Sequence, residues 1–355
     1  MGEVAVFAPG SLFVVGEYAV LHGGRALLAA VDSGIECRTE PRADGWWLSA
    51  PDLGVDGPPQ DVPSHAGAHL LVDAVRAGRT AFPGPGPLRV TVRGHGWGAG
   101  RKLGLGTSAA SAVAVLGALA ATAGHDLSST PLRRTLLPTA VDVHRAHQHG
   151  RGSGADVAAS VHGGWVEYCT ADGIPRARPA AVPPGLRLAA AWSRIACSTP
   201  DAIDRFHRTG GQNEVNGVLD ALARELDRFW AAARDANEVA FLRSVRAYGT
   251  LLEEMARRLA PPQAAEWMAR LTRAAADRGA SAKSSGAVGG DCVIALATDG
   301  APLAGARAAW RRLGAVPLDL APDPHGLRAL PPDGKSGTPE PPRTEQRTGS
   351  QHAGG

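Results

Sequence analysis

Hydrophobic and polar residues follow two patterns along the chain: short apolar runs, and longer stretches in which apolar residues recur at helical spacing. The short runs predict strands at residues 4–8, 12–15, 88–92, 165–169, 188–192, 292–297 and 316–320. The longer stretches predict helices at residues 69–77, 108–123, 131–147, 157–161, 214–235, 237–259, 262–278 and 301–313. Pro9-Gly10 predicts a turn, and residues 41–64, rich in proline, aspartate and glycine, predict a surface excursion.

The order of these elements predicts two folded units and a tail. A proline-rich stretch at 175–184 is the best candidate for a boundary. It predicts an N-terminal domain over residues 1–182 and a C-terminal domain over 183–330. In the second half, long helices alternate with strands, which is typical of an α+β unit with an antiparallel sheet. The segment 331–355 contains almost nothing to bury, so we expect it to be disordered.

Composition narrows the class of protein. Of 355 residues, 44% are hydrophobic and 20% are charged, with a net charge of +3, which indicates a globular chain. The charge is spread without a basic run, so nucleic acid is not an expected partner. No apolar run reaches about 18 residues and the N-terminus lacks a secretory pattern, so no membrane association is expected. The four cysteines occur singly, which suits a reducing cytoplasm.

The strongest chemical pattern is the glycine-rich segment Lys102–Ser111, which leads into the predicted helix at 108–123. Its glycines allow consecutive backbone N–H groups to converge on an anion, and the helix N-terminus adds partial positive charge. The hydroxyls of Thr107 and Ser108 can bond phosphate oxygens or reach Mg²⁺. The segment fits neither the P-loop nor the Rossmann pattern. By mechanism alone, phosphate binding and a serine-capped glycine turn are equally open.

Two further segments, Arg151–Ser160 and Lys283–Cys292, combine glycines with charged residues. In the first, Asp156 follows a Gly-Ser-Gly turn, where it can face an acceptor or cap the helix; for a lone aspartate, capping is the commoner role. In the second, a glycine-rich backbone enters a strand, where it can approach a ligand or form a tight loop. Each pattern taken alone leaves both interpretations open.

The histidines His144, His147 and His149 invite a metal-site interpretation. Only the first two share a helix face, and no nearby cysteine or carboxylate completes a site. A group of histidines at a helix C-terminus is therefore the favoured interpretation.

The three glycine-rich segments, in their order and spacing, resemble the GHMP kinase superfamily. Within it, Gly16–Leu21 is similar to the GEYAVL segment of the phosphomevalonate kinase family. Further similarities to that family are Lys102 before Gly-Leu-Gly, the His144–Gln148–Asp156 spacing, Lys283–Gly286, the pair Trp192-Ser193 with Ser198-Thr199, and Trp310 with Leu313-Gly314. The resemblance covers about residues 5–320.

The resemblance implies a two-domain α+β fold, with a ribosomal S5-like N-terminal domain, a ferredoxin-like C-terminal domain and the site between them. It implies a monomer or homodimer that phosphorylates 5-phosphomevalonate, with ATP and Mg²⁺ as cofactors. Asp156 and Lys102 would be catalytic, and Ser108 would lie near the metal. ATP would lie on Gly104, Leu105, Gly106, Thr107, Ser108 and Ala109. The acceptor would contact Ser11, Glu17, Tyr18, Ser153, Gly154, Ser198, Lys283, Ser285, Gly286, Gly289, Gly290 and Asp291.

The first motif of that family corresponds here to Pro9-Gly10-Ser11, and its third motif to Lys283–Cys292. The first motif departs from the family at Ser11. Members normally carry a lysine after Pro9-Gly10, where its charge is expected beside the catalytic aspartate and the transferring phosphate. Serine contributes no charge, and the loss of one such contact can cost about 10²–10³ in rate. Lys102 and Arg151 are the candidates to replace that charge in space. Val288 also replaces a usual glycine in the third motif.

Acceptor chemistry bears on this departure. A phosphate acceptor is already ionised at pH 7, because its second pKa is about 6, so it needs little proton abstraction. The alcohol of mevalonate would need a base more. Two alternatives therefore stay open: a kinase for mevalonate or another GHMP acceptor, and a non-catalytic nucleotide-binding homologue.

Overall fold

Twelve strands and eight helices form the part of the chain that the computed structural model describes, residues 2–63, 65–96, 103–195, 213–287 and 289–331. The strands are β1 (Val4–Val15), β2 (Ala26–Pro41), β3 (Trp47–Ala50), β4 (Val55–Gly57), β5 (Leu88–His95), β6 (Trp165–Ala171), β7 (Ile174–Pro179), β8 (Arg187–Trp192), β9 (Ser281–Ser285), β10 (Cys292–Ala297), β11 (Val316–Leu318) and β12 (Arg328–Ala329). The helices are α1 (Ala66–Ala81), α2 (Thr107–Thr122), α3 (Thr130–His147), α4 (Ala155–His162), α5 (Asn213–Arg234), α6 (Glu238–Leu259), α7 (Pro262–Ala276) and α8 (Gly300–Leu313).

The first sheet is built on the long antiparallel pair β1–β2. Its path runs β12-β1-β2-β5-β3-β4, with β6 beside the first half of β2 and β7 beside β6. Helix α2 packs against β1, β2, α1 and α3. Most of its residues are small, apolar and fully buried, as expected for a helix enclosed on all sides. This packing holds α2 in a fixed position, and the loop before it is bonded to Ser11 of β1.

The second sheet is four-stranded and antiparallel, in the order β11-β8-β10-β9. Helices connect β8 to β9 and β10 to β11, so the strand order and connections are those of a ferredoxin-like unit. Leu12 and Val14 of β1 lie in one apolar cluster with Phe229 of α5, Phe241 of α6 and Ile294 of β10. The two halves of the chain therefore share a continuous core. The predicted α+β class and the ferredoxin-like second half are confirmed.

Several local predictions are wrong. Pro9-Gly10 is no turn: β1 runs through it with a register shift, where the missing N–H of Pro9 breaks no regular ladder. The surface excursion at 41–64 contains β3 and β4, which bury Leu48 and Val55. The start of the third motif is the fully buried strand β9.

The end of the described chain returns to the first sheet. Strand β12 pairs with β1, and the N–H of Asp323 donates to the carbonyl of Ala30 at 2.9 Å. The boundaries 1–182 and 183–330 therefore remain predictions, with the last residues of the second segment packed on the first. Val288 and residues 332–355 of the predicted tail lie outside the described residues. None of the described helices has the length and apolarity needed to span a membrane.

Candidate active site

A cleft forms where five segments meet: β1 with the turn after it, the loop into α2, the end of α3, the start of α4 with the loop before it, and the loop after β9. Most of the residues that the sequence assigned to the site line this cleft: Ser11, Glu17, Tyr18, Gly104, Leu105, Gly106, Thr107, Ser108, Ser153, Gly154, Asp156, Ser285, Gly286 and Asp291. The fold therefore brings all three glycine-rich segments to one place.

Other predicted residues lie elsewhere. Ala109 is fully buried within α2, and Lys283 is buried against Glu17. Gly289 and Gly290 follow the cleft-lining segment of the third motif but do not line the cleft among the described residues. Lys102 and Ser198 lie outside the described residues.

Ser11 and Asp291 pack closely on two glycines of the segment Lys102–Ser111. A β-carbon on Gly106 would lie 2.4 Å from the Ser11 hydroxyl, and one on Gly104 would lie 2.3 Å from the β-carbon of Asp291. Both glycines have positive φ, 64° and 73°, which disfavours a side chain in any case. The backbone N–H of Ser11 also donates to the Leu105 carbonyl at 2.9 Å. Glycine is therefore required at 104 and 106 by both space and backbone conformation.

The N-terminus of α2 opens into the cleft. Gly106 is its N-cap residue, without a side-chain cap, and the first turn holds no acidic residue. The earliest intrahelical bond runs from the N–H of Ala110 to the carbonyl of Gly106. The N–H groups of Thr107, Ser108 and Ala109 precede that bond and have no intrahelical acceptor. This terminus, with its partial positive charge, fits a bound phosphate.

Asp156 lies in the first turn of α4 and accepts a hydrogen bond from the Ser11 hydroxyl at 2.7 Å. Burial raises the pKa of Asp156; the Ser11 hydrogen bond opposes this shift, and the Glu17 carboxylate adds to it. The residue that stands where the family places lysine thus contacts the predicted catalytic carboxylate directly. It supplies a hydroxyl in place of a positive charge.

His144 is a cleft residue that the sequence did not assign to the site. It is 2% exposed, and its Nε2 lies 3.0 Å from the hydroxyl of Ser108, 36 positions away. Burial lowers the pKa of His144 to about 3, and the nearby His147 adds to that shift. The ring is therefore neutral near pH 7, and Nδ1 has no hydrogen-bond partner among the described residues. The sequence feature that could have placed His144 in the site is the spacing of His144, Gln148 and Asp156. Gln148 also lines the cleft.

Glu17 and Lys283 form a buried ion pair beside the cleft, with side chains 3% and 0% exposed. The ammonium of Lys283 also lies 3.5 Å from the carbonyl of Phe13. Oxygen Oε2 of Glu17 is buried without a partner in the described part of the chain. The ammonium of Lys283 is therefore paired with Glu17, and this ion pair links β9 to the first half of the chain.

The charge of the cleft is one-sided. Its described lining carries the carboxylates Glu17, Asp156 and Asp291 and neither lysine nor arginine. Carboxylate and hydroxyl oxygens are the ligands that Mg²⁺ prefers, and Mg²⁺ bound with phosphates commonly takes one or two carboxylates from the protein. Across the described ranges, no group of three His, Cys, Asp or Glu side chains gathers to hold a metal. Hydroxyl and carboxylate oxygens such as those of Ser108 and Asp156 fit a Mg²⁺ that phosphate oxygens also bind.

Comparison with known proteins agrees with this geometry. Residues 69–164 match the family model for the N-terminal domain of GHMP kinases. A phosphomevalonate kinase of Streptomyces sp. (strain CL190) is 29% identical over 90% of this chain and 97% of its own. The chain resembles the GHMP kinases and has their fold. The predicted GHMP kinase fold is confirmed.

Two solved structures share this GHMP kinase fold closely. The Lin0012 protein from Listeria innocua superposes with a TM-score of 0.78 at 22% identity, over 93% of this chain and 99% of its own. Streptococcus pneumoniae phosphomevalonate kinase, in complex with phosphomevalonate and AMPPNP, gives 0.71 at 20% identity, over 93% and 100%. These structures establish the fold, and together with the family model and the curated relative they support a kinase.

Proposed function

We propose that this protein catalyses ATP-dependent phosphorylation of 5-phosphomevalonate, giving 5-diphosphomevalonate and ADP. The observation that carries this proposal is the Streptomyces phosphomevalonate kinase, which the chain matches over nearly its whole length. The three motifs that suggest the same family also converge on one cleft. The fold alone is shared by kinases for several acceptors, so the acceptor rests on that relative.

In this proposal, the N-terminus of α2 would hold the ATP phosphates. The Ser108 hydroxyl with a neighbouring carboxylate would hold Mg²⁺, which would neutralise and orient those phosphates. His144 is neutral, so its Nε2 can accept the Ser108 proton and leave the hydroxyl oxygen free to face a cation. Asp156 lies at the acceptor side of that helix N-terminus. Since the attacking phosphate oxygen is already ionised, Asp156 serves mainly to position the acceptor.

The test is a coupled ADP-release assay with purified protein, Mg²⁺-ATP and either 5-phosphomevalonate or mevalonate. We expect turnover with the phosphorylated acid and formation of its diphosphate, checked by phosphorus NMR. Turnover of mevalonate alone would transfer the assignment to a mevalonate kinase. Turnover of a different alcohol acceptor would indicate another GHMP activity.

One observation favours a second candidate, a nucleotide-binding homologue that transfers nothing. Ser11 occupies the lysine position, and among the described lining residues no cation faces Asp156. Tight binding of Mg²⁺-ATP without transfer to any acceptor would select this candidate. In that case Ser11→Lys would leave transfer absent, whereas in a working enzyme Asp156→Asn would reduce it sharply.

A further inference from the structure

A second pocket adjoins the cleft on the far side of the loop before α4. Leu21, Gly152 and Ser153 line both cavities, so the pocket continues the cleft across the Gly152–Ser153 backbone. Arg145, near the end of α3, and Arg151, at the start of the loop, line the pocket but not the cleft. Arg145 and Arg151 therefore face the second pocket and not the cleft.

The two cavities carry opposite charge. The described lining of the cleft has three carboxylates, whereas that of the pocket has two guanidinium groups and no acidic side chain. An anionic ligand that reaches from one cavity to the other would keep its second anionic group away from Glu17, Asp156 and Asp291 and place it against arginine. Each arginine–carboxylate contact in such a setting is a charge-assisted hydrogen bond.

Arg145 is held ready for such a contact. Its Nε donates to the carbonyl of Gly152 at 2.9 Å, and its Nη2 donates to the carbonyl of Ser153 at 3.2 Å. The hydroxyl of Tyr168 donates to the same Ser153 carbonyl at 2.7 Å. No described residue accepts a hydrogen bond from the remaining nitrogen, Nη1. The guanidinium is thus fixed in orientation by the loop, and little side-chain freedom is lost when a ligand binds.

We infer that the pocket of Arg145 and Arg151 binds the carboxylate of the acceptor acid. The inference rests on the proposed function, which places the reacting phosphate at the N-terminus of α2 beside Asp156. In phosphomevalonate the carboxylate lies at the opposite end of the carbon chain from that phosphate. The Gly152–Ser153 loop lies between the two positions, so the acceptor spans it. Arg145 and Arg151 thus select an acceptor that carries a carboxylate, and the cleft residues determine which group of that acceptor is phosphorylated.

The test compares 5-phosphomevalonate with its neutral carboxamide as acceptors. In the wild-type enzyme we expect kcat/KM to favour the acid. Arg151→Gln removes the guanidinium of an exposed side chain and should lower kcat/KM for the acid about 10- to 100-fold. Its kcat/KM for the amide and its KM for ATP should not change, so the acid-to-amide ratio collapses. Arg176→Gln, the same change at an exposed arginine on β7, is the matched control.

Arg145→Gln gives a second, independent readout. Because Arg145 also holds the loop, its loss lowers kcat/KM for both acceptors; a loosened loop alone leaves the acid-to-amide ratio unchanged, whereas loss of the carboxylate contact lowers it. A collapsed ratio in either variant supports the inference. If the wild type turns over the acid and both variants keep its ratio, the inference is overturned and the proposed function stands. If the wild type phosphorylates neither phosphomevalonate nor mevalonate, the proposed function fails and the inference fails with it.

Discussion

The ion pair between Glu17 and Lys283 makes a strong prediction about stability, because it is sealed from solvent and joins the two halves of the chain. The side chains are 3% and 0% exposed. Burial lowers the pKa of Lys283, and the charge of Glu17 opposes that shift. Replacing Lys283 with methionine keeps the apolar length of the side chain and removes the ammonium. The carboxylate of Glu17 then stays buried without its partner.

The magnitude follows from that burial. Removing one partner of a buried ion pair costs about 3–5 kcal/mol, because an uncompensated charge remains in the interior. Total stabilities of folded domains are about 5–15 kcal/mol, so Lys283→Met should remove a large part of the free energy of unfolding. The double variant Glu17→Gln/Lys283→Met carries neither charge. It should therefore be more stable than Lys283→Met alone, by about 2 kcal/mol.

The measurement is urea unfolding followed by circular dichroism and tryptophan fluorescence, with free energies from linear extrapolation. Arg76→Met is the matched control, since Arg76 pairs with Asp73 on the surface of α1 with side chains 75% and 45% exposed. That variant should change the free energy of unfolding by less than about 0.5 kcal/mol. The reasoning is refuted if Lys283→Met costs no more than Arg76→Met, or if the double variant is less stable than Lys283→Met.

Three more predictions concern the cleft. Burial lowers the pKa of His144 from 6.5 to about 3. As the pH falls, the unfolded chain therefore binds a proton at this histidine before the folded chain does. Between pH 6.5 and about pH 3 the free energy of unfolding should drop by about 1.4 kcal/mol per pH unit. His144→Gln should flatten that slope, measured by urea unfolding at pH 4 to 7. Asp156→Asn should lower kcat about 10²-fold. Its circular dichroism spectrum should not change, since the Ser11 hydroxyl can still donate to the amide oxygen. An unchanged kcat would show that Asp156 takes no part in the reaction. Gly106→Ala should abolish ATP binding measured by calorimetry, because its β-carbon would lie 2.4 Å from the Ser11 hydroxyl, whereas Gly124→Ala, at φ 89° in open space, should retain it.

Periodic, strongly apolar elements were predictable from the sequence. Helix α2 was expected at 108–123 and spans Thr107–Thr122, because its buried residues recur without interruption. Strand β10 was expected at the residues it occupies, since it is apolar throughout. The errors fall where tertiary pairing overrides a local signal. Pro9-Gly10 reads as a turn locally, yet β2 pairs along both sides of it and keeps the chain extended.

The candidate site was predictable as a set of segments, but not as a set of contacts. Glycine-rich motifs carry a local signal, and the cleft collects all three. The contact between Ser108 and His144 depends on how α2 and α3 pack, which no spacing within either helix encodes. Lys283 shows the reverse case. A charged residue in a glycine-rich motif suggested a ligand contact, whereas the fold buries it against Glu17.

Ser11 changes how the cleft must compensate negative charge. A lysine beside Asp156 would lower the pKa of that carboxyl; with Ser11 in its place, burial prevails and the pKa is raised. Two phosphate groups brought to this point would meet the carboxylates of Asp156 and Asp291, while that of Glu17 is paired with Lys283. The compensating charge must therefore come from elsewhere: the N-terminus of α2, the metal, or cations outside the described residues. Because Ser11 supplies a hydroxyl and no charge beside Asp156, we expect transfer to depend steeply on Mg²⁺ concentration, and Ser11→Lys to make that dependence shallower.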